Sequence, residues 1–199
     1  MKIVKWIVVV AVCVTVVFMA GGLGVSEIEH SDIVAGAAID YNAEKEKFEL
    51  TLEIFVPSQD VGFGGETRFL QADGKTIEQA WQNVQNNNLK RLFTDGIKLF
   101  VLDSFTAQHA KDELMDYFTK NSRANPQALI AQAEGDRAAD ILKGESDDNT
   151  STRSLDFVHR LKVSKNDVDA LEFLSGKQPA KIAKNSIINE SGAKYGAQN

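Results

Sequence analysis

The chain has 199 residues, with 22 lysines and arginines against 28 aspartates and glutamates, a formal charge of −6. Beyond residue 25, where Lys2 and Lys5 no longer count, 20 basic residues face 28 acidic ones, a formal −8. An acidic exterior without basic clusters argues against nucleic acid and against electrostatic binding to anionic lipid; the single cysteine excludes an internal disulfide framework.

From Trp6 to Val25 the one clearly polar side chain is Thr15, and no charge stands between Lys5 and Glu27. At helical rise this length just crosses the hydrocarbon layer of a bilayer. Lys2 and Lys5 precede it and the next basic residue is Lys45, so the positive-inside rule keeps the N-terminus in the cytoplasm and sends the rest across. Residues 1–25 are therefore expected to be a transmembrane or signal helix. An uncleaved anchor is the first expectation and a cleaved export signal, ending near Ala20-Gly21-Gly22, the second. Cys13 has too little apolar length before it to be a lipidation site.

Residues 26–199, roughly 170 in number, suffice for one extracytoplasmic domain with a real core, and ten of the chain's eleven phenylalanines, with many Leu, Ile and Val, can fill it. Ile33 to Ile39 is small and apolar, and Phe48 to Ile54 alternates with the period of a half-buried strand, so the two read as a hairpin closed by Pro57. Gly62, Gly64 and Gly65 mark an exposed loop, and Thr67 to Ala72 a third strand. Thr76 and Gln79 have capping-box spacing ahead of a helix whose apolar face is Ile77, Ala80, Trp81 and Val84, with Leu89, Leu92 and Phe93 extending the apolar contact. Ile97 to Leu102 reads as a central strand covered on both faces.

A second helix is expected from Ser104 to Lys120. After Pro126 come a strand, Ala128 to Ala133, and a short helix capped by Asp136 and ending at Gly144. Glu145 to Ser151 is a polar linker. Two helices follow, Thr152 to Val163 with Leu155, Val158 and Leu161 inward, and Asp167 to Ser175; a last strand lies around Ala180 to Ile188. Helices interleaved with strands and at least one hairpin give an α+β fold, a mixed sheet with helices packed on it.

Candidate chemistry is sparse. Asp73-Gly74-Lys75-Thr76 joins a strand to a helix, but the phosphate-binding loop needs a glycine five positions before Gly74, where Phe69 stands. Gly62-Phe63-Gly64-Gly65 precedes a strand rather than a helix N-terminus, which leaves Phe63 as a partner contact and no anion site. His30, His109 and His159 are too scattered for metal ligation, with His159 expected on the inner side of its helix. Asp147-Asp148-Asn149 lacks the glycine and distal glutamate of a calcium loop. There is no nucleophile elbow. No catalytic, cofactor-binding or metal residue is assigned, and no convergence of titratable groups is visible.

Several stretches in order resemble the N-terminal domain of the Ger(x)C spore-germination lipoproteins, membrane-attached subunits of nutrient germinant receptors in spore-forming bacteria. They are Asp32 to Asp40, Phe48 to Pro57, the glycine-bearing loop, Gly74 to Ala80, Leu92-Phe93 with Ile97 to Leu102, Phe118 to Arg123, and Ala128 to Leu142. Counting back from Asp40, the family's lipidated cysteine falls at Gly22, its tryptophan at Leu23 and its aspartate at Gly24, while Glu27-Ile28 keeps the Glu-Leu character that follows. No lipidation is therefore expected. The family's large C-terminal region would begin where this chain stops, so a stand-alone relative or a truncated product is expected. The resemblance implies a non-enzymatic subunit without cofactor on the extracytoplasmic face of the spore inner membrane or cell membrane. Its partners would be integral membrane receptor subunits, and no germinant or other small-molecule ligand is named. The alternative is an independent extracytoplasmic binding or modulator module.

Overall fold

Small apolar residues alternating with two acids make β1 (Ser31–Asn42), which lies at the middle of the sheet. The computed structural model describes residues 31–57, 65–120, 124–144, 152–184, 186–188 and 194–196. The anchor or signal helix expected over residues 1–25 lies outside them; among the described residues no helix is long and apolar enough to cross a membrane. β1 turns through residues 43–46 into β2 (Lys47–Pro57) with Asn42 opposite Lys47, and the Asn42 carboxamide oxygen accepts the N–H groups of Glu44 and Lys45. β3 (Gly65–Gly74) pairs antiparallel along β2 without a register break.

Helix α1 (Ile77–Asn87) starts where expected, with Thr76 accepting from the Gln79 N–H and Ile77, Ala80, Trp81 and Val84 buried. The reciprocal bond comes from the Lys75 N–H to Gln79. β4 (Arg91–Phe93) pairs with β1, and of the three residues expected to extend the apolar contact only Leu92 is buried. Phe93 points outward because β4 buries only its middle residue, and Leu89 lies exposed in the bend ahead of that strand.

β5 (Leu99–Leu102) is buried along its whole length, as a strand covered on both faces must be. The single helix expected next is two, α2 (Ser104–His109) and α3 (Lys111–Lys120), with Ala110 in a non-helical conformation between them. β6 (Leu129–Ala133), α4 (Ala138–Leu142), α5 (Arg153–Val163) and α6 (Ala170–Leu174) follow. The last expected strand is a hairpin, β7 (Ala180–Ala183) and β8 (Ser186–Ile188), followed by β9 (Lys194–Gly196).

The sheet order is β3-β2-β1-β5-β6-β7-β8-β9. β1, β5, β6 and β7 run parallel, flanked by antiparallel pairs on both sides. This is the expected α+β mixed sheet. On one face Ile39, Leu52, Ile54, Phe100 and Ile130 pack against α1, α3 and α6, with Trp81 stacked on Tyr117 at 5.1 Å. On the other, Ala38, Val101, Leu129 and Ala131 pack against Ile141 and Leu142 of α4 and Phe157 and Leu161 of α5.

Candidate functional site: an acidic cleft above buried helix caps

Parallel neighbours bring the carboxyl ends of β1, β5 and β6 to one edge of the sheet, the place where ligands bind in open α/β sheets. A cleft of about 800 Å³ opens there between residues 40–44, 103–105 and 135–140. It contains Asp40, Glu44, Asp103, Asp136 and Asp140 against one cation, Arg137. Tyr41 stacks on Phe105 at 4.1 Å and Phe105 on His109 at 4.6 Å, an aromatic edge to an otherwise polar hollow.

Two of these acids are committed to the fold. Asp40 is buried, and its two oxygens accept the N–H groups of Ala138 at 2.7 Å and Ala139 at 2.9 Å, capping α4 from a distant strand. Burial pushes its carboxyl up, against the pull of those N–H groups and of Arg137, whose guanidinium stands 3.8 Å away. Arg137 binds Glu49 more closely, at 2.5 Å. Asp103 caps α2 by accepting the Thr106 N–H at 2.7 Å, and its other oxygen takes the Tyr41 N–H at 2.8 Å. Neither has an oxygen without a donor. Glu44, Asp136 and Asp140 stand exposed at the mouth, a set that suits cations and hydrogen-bond donors.

A second buried acid lies deeper under the same face. Glu53, fully buried on β2, accepts the Arg153 N–H at 2.6 Å and, on its other oxygen, both the N–H and the hydroxyl of Ser154. It caps α5, whose own N-cap residue, Thr152, makes no side-chain cap bond. Burial raises the Glu53 carboxyl above the usual carboxylate range, more than its three donors lower it. Gly36 makes this approach possible, since a Cβ there would sit 1.7 Å from the Ser154 hydroxyl. The Arg153 guanidinium lies over the Phe157 ring at 4.6 Å and donates to the Lys184 carbonyl. Among the described residues no group of three or more His, Cys, Asp or Glu side chains is arranged to hold a metal ion.

A family profile described as the spore germination protein N-terminal domain matches residues 24–169. The chain belongs to this family. The match ties it to spore germination and runs from ahead of β1 to the residue that caps α6, so it includes Asp40, Glu53, Asp103 and the helices they cap. No curated protein and no solved structure matches the chain.

Within this germination domain the expected residues fall as follows. Phe63, Gly22, His30 and the Asp147-Asp148-Asn149 stretch lie outside the described residues. Asp73-Gly74-Lys75-Thr76 is a strand-to-helix turn: a Cβ on Gly74 would stand 2.4 Å from the Ala80 nitrogen, so the glycine is what lets the end of β3 pack closely on α1. Asp136 does not cap α4; the N-cap position is Arg137, and the capping oxygens are those of Asp40. His159 is exposed; Ser154, Phe157 and Leu161 are the inward residues of α5, with Val158 half-buried against the core as expected, and of the apolar residues expected inward only Leu155 faces out. The docking of Ser154 on Glu53 sets the rotation of that helix and turns Leu155 and His159 outward. Asp40, Glu53 and Asp103 were not singled out from the sequence. The available signal was Glu53, a carboxylate between Leu52 and Ile54 on a strand whose other face is apolar.

Proposed function

We propose that the chain is a non-enzymatic, membrane-tethered subunit of a spore nutrient germinant receptor. Residues 6–25 hold it at the extracytoplasmic face, and it acts by assembling with integral membrane receptor subunits. The observation that carries this reading is the germination-family match over residues 24–169, beginning as the uncharged apolar stretch ends. The absence of catalysis is supported by the chemistry of the cleft: Asp40 and Asp103, the acids set into its wall, spend their oxygens on backbone N–H groups, which leaves neither poised as a general base.

The test is a pull-down from spore inner membranes with the tagged chain as bait, paired with deletion. Co-purification of integral membrane receptor subunits and slowed nutrient germination on deletion are expected. Normal germination without the chain, together with no receptor subunit in the eluate, would remove the proposal. Retention in membranes through alkaline carbonate checks the tether separately.

The open cleft favours a second reading, an independent extracytoplasmic module that binds a small solute and modulates germination. Calorimetric binding of a solute in the absence of receptor subunits would favour it.

A further inference from the structure

At the end of β1 opposite the cleft, the segment between α1 and β4 exposes an apolar and basic tip. Leu89 is fully exposed and Phe93 is 44% exposed, four residues apart around Lys90 and Arg91. The tip is fastened to the first residues of β1: Asn88 donates to Asp32 at 2.8 Å, Lys90 stands 3.9 Å from the same carboxylate, and Arg68 pairs with it. Arg91, and Lys98 at the start of β5, have no carboxylate partner among the described residues. A leucine held fully in water two residues from Arg91, a cation without a carboxylate partner among the described residues, has what an interfacial contact requires: an apolar group for the acyl boundary and a basic group for the phosphates.

We infer that the Leu89–Phe93 tip is a lipid-contacting edge that sets the domain down on an anionic membrane surface. The inference rests on the tethered reading for the nearness of a membrane. Six residues separate Val25, where the apolar stretch ends, from Asp32 in the sequence. The acidity that argues against anionic lipid for the chain as a whole is an average. The cleft carboxylates begin at Asp40, about 27 Å along the strand from Asp32, several Debye lengths away at physiological salt, so their charge is largely screened at the tip. From Asn88 to Asp95 the chain carries two cations, Lys90 and Arg91, against one acid, Asp95.

The test uses the full chain carrying Cys13→Ser, with an environment-sensitive fluorophore on Leu89→Cys or, at the far end, on Gln108→Cys, which is exposed on α2. The labelled chains are reconstituted into vesicles of phosphatidylcholine alone or of equimolar phosphatidylcholine and phosphatidylglycerol. The probe at 89 is expected to shift to the blue and to resist aqueous iodide in the anionic vesicles, while the probe at 108 stays water-like in both. Arg91→Gln is expected to lower the ratio of docked to undocked probe about fivefold, the effect of removing one basic side chain near such a surface. A probe at 89 that is as accessible as the one at 108 in both vesicles overturns the inference. Carbonate extraction of the same samples separates the two readings. A chain retained in the membrane with a wet probe at 89 keeps the tether and sinks the tip; an extracted chain whose probe still docks on anionic vesicles does the reverse.

Discussion

Ser154 gives both its main-chain N–H and its hydroxyl to one oxygen of Glu53, a residue 101 positions earlier in the chain. Glu53 is fully buried, and its other oxygen is held by the Arg153 N–H. Both oxygens face donors, so replacement by an isostere that brings its own N–H fails at one end. Glu53→Gln keeps the size and puts an amide N–H against a backbone donor. The expected loss is about 1–3 kcal/mol, the cost of a buried polar group left without its partner. Ser154→Ala, which removes only the hydroxyl and keeps both main-chain bonds, should cost less. Thermal unfolding of the full chain in detergent reads both; equal stabilities for wild type and Glu53→Gln would contradict the capping role.

The same contact demands glycine at position 36. A Cβ there would fall 1.7 Å from the Ser154 hydroxyl and 2.8 Å from its Cβ, so Gly36→Ala forces α5 away from the strand or the strand out of register. Overpacking of this kind costs about 1–3 kcal/mol. Ser154→Gly removes both offending atoms, and a double-mutant cycle with Gly36→Ala should show coupling above about 0.5 kcal/mol, as residues in contact do. Additive effects would mean that the strain lies elsewhere.

Asp40 and Asp136 make a matched pair for testing where the α4 cap comes from. Asp40→Ala leaves the Ala138 and Ala139 N–H groups without an acceptor in a buried place, and a lost cap costs about 0.5–2 kcal/mol before that burial is counted. Asp136→Ala removes an exposed side chain and should leave the unfolding temperature unchanged. The opposite ranking would restore the local cap that spacing alone suggests.

Where a local rule decided the outcome, the sequence was readable. Thr76 begins α1 because its hydroxyl satisfies a backbone donor of the first turn, and Ile77, Ala80, Trp81 and Val84 follow one face from that start. Leu99 to Leu102 needed only an unbroken apolar run. What escaped was decided across distance. α5 offers Leu155 as well as Phe157, and helical periodicity cannot rank them; the bond between Ser154 and Glu53 chooses Phe157. The cleft escaped for the same reason, since Asp40, Asp103 and Arg137 meet only through the parallel pairing of β1, β5 and β6. The apolar run that reads as the first strand ends at Ile39, although β1 continues through Asp40 to Asn42.

The two buried acids also set the sign of the acid response. Burial raises the carboxyls of Asp40 and Glu53 above their unfolded values of 3.8 and 4.5; for Asp40 the neighbouring Asp103 adds to the rise, and for Glu53 Asp156 does. In the window between unfolded and folded values the folded chain binds more protons than the unfolded one. Their contribution to stability is therefore complete below the unfolded values and is lost as pH rises through the folded ones. Glu49 runs the other way. Burial pushes it up, but the donors Asn42, Lys45 and Arg137 outweigh that and hold it below 4.5, so its contribution is present above 4.5 and lost as pH falls through its folded value. The unfolding temperature is expected to rise as pH is lowered through the folded values of Asp40 and Glu53, and to turn down below about 4.5, where Glu49 begins to protonate. A chain carrying both Asp40→Asn and Glu53→Gln should start lower and show no rise over that range. A wild-type unfolding temperature that falls steadily as pH is lowered from neutral to about 4.5 would mean that the donors around Asp40 and Glu53, and not their burial, govern the charge they carry.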